Sequence, residues 1–433
     1  MTRPLYTALF HLGLPLIALR LWLRARKAPA YAQRIGERFA RGLPPMATGG
    51  IWVHAVSVGE SIAAAPLVRA LLERYPHLPI TLTCMTPTGS ERIQALFAGN
   101  PRVQHCYLPY DLPWAMGRFL DHVRPQLGII METELWPNLV DQCARRNIPV
   151  ALANGRLSAR SARGYARFAR LTGPMLRQMS LLAVQTEAEA QRFRDLGARA
   201  ETVTVTGSIK YDLAPDPALP ERARALREHW QAGQRPVWIA ASTHQGEDEI
   251  ILAAHRELLR SHSDALLVLV PRHPERFAPV GAAIAQAGFV SASRAGDQPV
   301  TADTQVVLGD TMGELLFLYA VADIAFVGGS LVPSGGHNVL EPAALSKPVL
   351  SGPHLFNFQD IAARLAEAKA LTVIEDASGL ADAVRHLIEL PQDAQRMGAA
   401  GLAVMRANQG ALARLLEALT AVASYTPVGA SDS

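Results

Sequence analysis

Short runs of aliphatic and β-branched residues recur along this chain, separated by longer stretches with helical spacing. Residues 51–56 (IWVHAV), 80–84, 103–108, 127–131, 149–153, 181–184 and 202–206 read as strands, with helical segments such as 61–74 and 88–97 between them. A second block repeats the rhythm, with strands at 237–241, 265–270, 304–308, 323–327 and 348–350. Most of these runs are apolar throughout rather than alternating, which marks strands covered on both faces. Strand–helix alternation of this kind builds parallel, doubly wound sheets, so the fold class is α/β with two Rossmann-like domains. The Pro- and Asp-rich stretch 211–220 (YDLAPDPALP) reads as the linker. Ligands of such sheets bind beyond the carboxyl ends of the strands, which predicts an active site in a cleft between two facing domains.

The pattern breaks at the N-terminus. Residues 5–23 (LYTALFHLGLPLIALRLWL) are nearly all apolar, interrupted by His11, Pro15 and Arg20, and Arg24, Arg26 and Lys27 follow. A spanning helix needs about 20 apolar residues, so this is a borderline span or a helix lying in the interface. The basic cluster behind it argues against a cleaved export signal and places the body of the protein on the cytoplasmic side. The expected organisation is a membrane anchor at 1–28, one Rossmann-like domain at 29–210, a second at 211–425, and a tail at 426–433 with the composition of a disordered end.

Composition narrows the function classes. Hydrophobic residues make up 49% and charged residues 18% of 433, enough for two sizeable cores. Three scattered cysteines, Cys84, Cys106 and Cys143, form neither a disulfide framework nor a zinc motif. Residues 1–210 carry 26 Lys and Arg against 13 Asp and Glu, a net +13, while the remainder carries 16 against 25, a net −9. A basic half implies an anionic partner. Arg156, Arg160, Arg163, Arg167 and Arg170 fall on one face of a helix, and acids are missing at the i±4 positions that would neutralise them. Next to an apolar anchor, such a stripe suits an anionic membrane or lipid phosphates. The basic stripes lack interleaved stacking aromatics, so nucleic acid is not an expected partner.

Candidate chemistry gathers at strand ends. GGSLVPSGGHNVLEP at 328–342 follows a buried strand and runs into a helix expected to start near His337. Backbone N–H groups at such a junction make an anion site, and Glu341, one turn inside, could accept hydrogen bonds from a ribose, the signature of a nucleotide-sugar donor. Glu60, in SVGE after the first strand, is either a helix-capping carboxylate or a general base for a sugar hydroxyl. METELWPN at 131–138 presents Glu132, Glu134 and Trp136, either as a polyol site or as a charged helix start. PRHPERF at 271–277 offers Arg272 and His273 to a phosphate. GDTMGEL at 309–315 could enclose a base, and GSIKYD at 207–212 puts Lys210 at the hinge. Glu247, Asp248 and Glu249 read as complements to a helix dipole. No D-x-D metal motif, P-loop or nucleophile elbow occurs.

HAVSVGE, METELWPN, GSIKYD, PRHPERF, GDTMGEL and GGHNVLEP, in this order, resemble the 3-deoxy-D-manno-octulosonic acid (Kdo) transferases over nearly the whole chain. The resemblance implies a GT-B glycosyltransferase that moves Kdo from CMP-Kdo to the lipid A precursor. The reaction would occur on the cytoplasmic face of the inner membrane of Gram-negative bacteria, without a metal or other cofactor. It further implies Glu60 as catalytic base, with Lys210 and a carboxylate of METELWPN, Glu134 rather than Glu132, stabilising the transition state. Arg272, His273, Met312, Gly313, Glu314, Asn338, Val339, Leu340 and Glu341 would form the CMP-binding segments. The rival expectations are another GT-B nucleotide-sugar enzyme, such as a UDP-sugar transferase or an epimerase relative, and a non-catalytic lipid-binding scaffold.

Overall fold

The computed structural model describes residues 1–296 and 299–424. The tail expected at 426–433 lies outside the described residues. The chain forms two compact units. One comprises Met1–Ile209 with the chain from Gln409 onward, and the other comprises Lys210–Asn408.

The sheet of the first unit contains β1 (Ile51–His54), β2 (Ile80–Cys84), β3 (Val103–Tyr107), β4 (Leu127–Met131), β5 (Val150–Gly155), β6 (Leu181–Val184) and β7 (Val203–Val205). They lie in the order β3-β2-β1-β4-β5-β6-β7, every pair parallel. Successive residues of a strand face opposite sides, so each strand feeds two cores. Ile51 and Val53 pack with Leu67 and Leu71 of helix Val58–Arg74, while Trp52 packs with Phe119 and Leu139 on the other face. Both faces are covered at the centre of the sheet, which is why β4 and β6 read as apolar runs.

The second unit repeats the architecture with β8 (Val237–Thr243), β9 (Leu266–Pro271), β10 (Ser291–Ser293), β11 (Val306–Leu308), β12 (Ile324–Val327), β13 (Val349–Ser351) and β14 (Leu371–Val373). Their order is β10-β11-β9-β8-β12-β13-β14, again parallel throughout. The edge strands β10 and β14 escape sequence reading because each spans three residues and carries exposed positions.

The linker reading and one domain boundary differ from expectation. The stretch 211–220 belongs to the body of the second unit, where Tyr211 enters the hydrophobic core. The helix Ala411–Ser424, assigned by sequence to the second domain, joins the first unit instead. Ala411, Leu415 and Leu419, four residues apart, bury themselves among Val53, Leu67 and Ala151, and Arg414 Nε donates to the Thr206 carbonyl at 2.9 Å.

The N-terminal segment forms two helices, Arg3–Leu12 and Leu14–Lys27, bent by 50° at Gly13, and no single helix among the described residues is long and apolar enough to cross a membrane. Pro15 lies in the first turn of the second helix; lacking an N–H, it fits a helix start rather than a helix interior. One side of the pair docks on the first unit. Arg3 pairs with Asp141, Thr7 Oγ1 donates to Asn138 Oδ1 at 2.8 Å, and Tyr6 hydrogen-bonds to the buried Asp111. The other side leaves Leu5, Leu9, Leu12, Leu16, Leu19 and Trp22 each at least half exposed.

Candidate active site

In the first unit the strand order reverses between β1 and β4, the place where sheets of this kind open a crevice. Glu60 sits there, in the first turn of helix Val58–Arg74. Its Oε2 accepts the Val56 N–H at 2.9 Å, and Ser57 Oγ lies 3.5 Å from Oε1. The carboxylate therefore ties its helix to the turn after β1, accepting from a residue ahead of the helix rather than from a helix N–H. Its protonation goes further than such a tie requires. Burial pushes the Glu60 pKa up to about 7; the negative charges of Glu132 and Glu134 act in the same direction, and the two hydrogen bonds offset only part of the rise. A carboxyl titrating near neutrality is matched to proton exchange with an alcohol.

Glu132 and Glu134 lie in the turn after β4, ahead of helix Pro137–Ala144, so they do not form a charged helix start. Glu132 takes a left-handed φ of 55°. Glu134 Oε2 accepts the Trp136 indole N–H at 3.0 Å. The turn is pinned from both sides: Tyr165 donates its hydroxyl to the Thr133 carbonyl at 3.3 Å, and Thr133 Oγ1 donates to the Arg156 carbonyl at 2.8 Å. Trp136 also packs edge-on against His54, whose pKa burial lowers to about 3. The sequence spacing thus brings three carboxylates together at one switch point.

The arginine stripe is not one helix. Helices Ala159–Ala166 and Ala169–Arg177 break at Phe168, whose ψ of 36° leaves helical geometry, and Arg156 precedes both. Arg160, Arg163, Arg167 and Arg170 are exposed together with Phe168, and none of these four arginines forms an ion pair among the described residues. Arg156 is half-buried, and its charge acts on Glu189.

In the second unit the order reverses between β8 and β12. The loop 328–339 follows β12, but the helix begins only at Leu340 and spans five residues, Leu340–Ala344. Gly335 and Gly336 adopt φ of 102° and 75°, and Asn338 Oδ1 accepts the Leu340 N–H at 3.2 Å, a local turn that competes with the helix and delays its start. Glu341 therefore stands in the first turn, not one turn inside.

The backbone N–H groups expected to cradle an anion already hold one. Glu247, wholly buried, accepts from Gly329 at 2.7 Å, Ser330 at 2.9 Å and Leu331 at 2.8 Å, and from His244 at 2.8 Å. The nest formed by the loop is filled by the protein's own carboxylate rather than left for a ligand. Glu247 is not a dipole complement but the clasp between the loops after β8 and β12.

Around that clasp stands a group of side chains. His244 and His337 stack, and His273 meets His244 edge-on with ring centroids 5.6 Å apart. Arg272 and His273 are exposed after β9, whereas Arg276 of the same motif is spent on Asp248 and on the Thr243 carbonyl. Asn338 Nδ2 donates to Glu341 Oε1 at 3.1 Å; burial raises the pKa of Glu341, and Asn338 and Arg272 counter it.

The remaining expected residues divide by role. Val339 and Leu340 have fully buried side chains in the hydrophobic core, so only their backbone is available to a ligand. Met312 is 64% exposed, Gly313 has a φ of 82°, and Glu314 accepts from Thr311 Oγ1 at 2.7 Å and Arg294 Nη2 at 3.0 Å. Lys210 opens the second unit, its Nζ 6.0 Å from the Phe358 ring. Among the described residues no three His, Cys, Asp or Glu converge to hold a metal. Sequence reasoning missed His244 and the true role of Glu247. The available signal was S-T-H-x-x-E directly after the strand that becomes β8.

Residues 33–213 match the family described as 3-deoxy-D-manno-octulosonic-acid transferase (kdotransferase). The 3-deoxy-D-manno-octulosonic acid transferase of Haemophilus influenzae is 48% identical over 425 residues, covering 97% of this chain and 98% of the relative. That of Bordetella pertussis is 40% identical over 433 residues, covering 97% and 99%. The crystal structure of a UDP-N-acetylglucosamine 2-epimerase superposes with a TM-score of 0.56 at 16% identity, over 90% of this chain and 99% of that one, a likeness of fold alone. With near-complete coverage at such identity, the chain belongs to the 3-deoxy-D-manno-octulosonic acid transferase family.

Proposed function

We propose that the chain transfers Kdo from CMP-Kdo to the lipid A precursor in one inverting displacement, with Glu60 as general base. The observation that carries this reading is the Glu60 carboxyl, poised near neutrality by burial and by Glu132 and Glu134. In the step, the acceptor hydroxyl oxygen forms a bond to the anomeric carbon, its proton passes to Glu60, and the bond to the CMP phosphate breaks with its electrons leaving on CMP. The first unit takes the acceptor and the second takes the donor. Glu341 accepts from the ribose. With the loop N–H groups committed to Glu247, the donor phosphate falls to side chains, Arg272, His273 and Lys210. The positive charge of Arg272 and Lys210 offsets what develops on the departing CMP, commonly the largest catalytic contribution. Met312–Glu314 and the backbone at Asn338–Leu340 border the base.

The acceptor is a lipid, and the N-terminal helix pair fits a membrane surface. Its outward leucines and Trp22 form an apolar face with Arg20, Arg24 and Arg26 close by, the pattern of a helix lying in the interface of an anionic bilayer. Exposed Arg160, Arg163, Arg167 and Arg170 add to the same attraction. The natural location is the cytoplasmic face of the inner membrane.

The test is incubation of the enzyme with CMP-Kdo and lipid A precursor, with products weighed by mass spectrometry. A mass gain of Kdo in the wild type, lost in Glu60→Gln, is the expected result. Transfer from a UDP-sugar instead, or undiminished transfer by the variant, would reject the reading.

A further inference from the structure

Strand β5 of the first unit ends irregularly. Its Leu152 pairs with Leu182 of β6 and its Gly155 with Val184, so one extra residue enters β5 between them. The bulge is taken up at Asn154, whose φ of 55° lies in the left-handed region. Bulges re-aim side chains at strand ends, and asparagine is among the few residues with a side chain that adopt this conformation readily. Here the carboxamide meets the chain segment that leaves the unit. Asn154 is wholly buried, and its Oδ1 accepts the Ile209 N–H at 3.2 Å. Its own carbonyl is fixed in turn by Gln185 Nε2 at 3.1 Å.

That segment is guided step by step. Thr206 and Gly207 donate their N–H groups to the Val184 carbonyl at 2.9 and 3.3 Å. Gly207, at φ 89°, turns the chain against the returning helix, where a Cβ would stand 3.3 Å from the Ala411 Cβ. Ile209 then buries its side chain in the same core as Ala411 and Leu415. Packing accounts for that burial. It does not account for an asparagine in left-handed geometry facing the Ile209 N–H, since an unbulged β5 would leave the residue extended. Strained backbone of this kind persists only where its surroundings enforce it, and it gathers at functional sites. The group so held is one peptide bond from Lys210, and the short helical turn Ile209–Tyr211 starts on it.

We propose that Asn154 is a positioning residue for the transfer. By holding the Ile209 N–H it fixes the turn that carries Lys210, and so aims the Lys210 ammonium at the phosphate of the departing CMP. The inference rests on the reading of Lys210 as a charge that stabilises that phosphate. Preorganised charge acts only from the right place, and a displacement of about 1 Å can cost about 10²-fold in rate. A carboxamide that touches no substrate therefore bears on kcat. It neither binds the acceptor nor takes its proton, so acceptor KM and the pH dependence do not depend on it.

The experiment is a double-mutant cycle on kcat with CMP-Kdo and the lipid A precursor, using Asn154→Gly, Lys210→Ala and the two together. Glycine takes a φ of 55° without strain and keeps the backbone bond to Gln185, so it removes only the tether; melting curves check the fold. Asn154→Gly should lower kcat by up to about 10²-fold and leave acceptor KM and the pH profile at wild-type values. In the Lys210→Ala background it should lower kcat no further. Asn154→Ala removes the tether without adding backbone freedom and should follow the same pattern. Wild-type kcat in Asn154→Gly overturns the inference, as do losses that multiply when Lys210→Ala is added. A loss that Asn154→Ala does not share belongs to backbone freedom and also overturns it. Lys210→Ala at the wild-type rate removes Lys210 from the mechanism, and this inference with it. A slow Lys210→Ala beside a normal Asn154→Gly sinks the inference alone.

Discussion

His244 and His337 stack at 12°, ring centroids 5.0 Å apart, with their Nε2 atoms 2.8 Å from each other. At that distance one ring nitrogen donates and the other accepts, so the pair holds together only while at least one ring is neutral. Gly329, at φ 67°, makes the arrangement possible, because a Cβ there would sit 2.8 Å from His337 Cδ2.

The pair should make the second unit acid-sensitive. Burial, with Arg272, His244 and His273 nearby, lowers the His337 pKa to about 3, and burial lowers that of His244 as well. A depressed histidine contributes stability above its unfolded value of about 6.5 and loses it as pH falls toward the folded value. His337→Gln keeps a neutral hydrogen-bonding group and removes the titration. Calorimetric melts should therefore show Tm falling less between pH 7 and pH 4 in the variant than in wild type, by roughly 2–4 °C for each kcal/mol of linkage removed. Parallel Tm curves would mean the pair is not titrating in this window.

Glu60 should set the acid limb of activity. A base is active when deprotonated, so kcat/KM should rise with pH and level off above about 7. Glu134→Gln removes a negative charge that favours the protonated form, so the limb should move to lower pH. Glu60→Gln should lower transfer by about 10²–10⁴-fold on the plateau above that pH, with the difference from wild type shrinking as pH falls. An unmoved limb in Glu134→Gln would assign the titration to another group.

Glu341→Ala should weaken CMP binding by about 1.5–3 kcal/mol, the cost of losing a hydrogen bond to a charged acceptor. Asn338 Nδ2, which donates to Glu341 Oε1, would lose its partner in the same variant. Isothermal calorimetry with CMP is the measurement. Asn338→Ala should give a smaller loss, because the carboxylate remains; equal losses would mean that Glu341 acts only by holding Asn338.

The exposed arginines should serve the acceptor. Replacing Arg160, Arg163 and Arg167 with Gln should raise acceptor KM at low salt and leave CMP-Kdo KM unchanged. Salt already screens the wild-type attraction, so the difference should shrink as ionic strength rises. Acceptor titrations at two salt concentrations would show it, and equal KM values at low salt would return these residues to an ordinary solvated surface.

The sequence by itself determined the parts whose signal is local. β4 and β6 carry the bounds read from their apolar runs, because strands covered on both faces are largely apolar throughout. Glu60, Glu132 and Glu134 could be singled out because each follows such a strand directly, where doubly wound sheets place their ligands. Tertiary structure alone decided what depends on distant partners. Helix Ala411–Ser424 returns to the first unit because an apolar i, i+4 face says that a helix must pack but not on which core. Glu247 reads as one more acid at a helix start until β12 lies beside β8 and brings the N–H groups of Gly329, Ser330 and Leu331 to its oxygens. Periodicity records which face of an element is buried; burial beside a particular partner, and with it the pKa of Glu60, exists only once chain segments far apart in sequence have packed together.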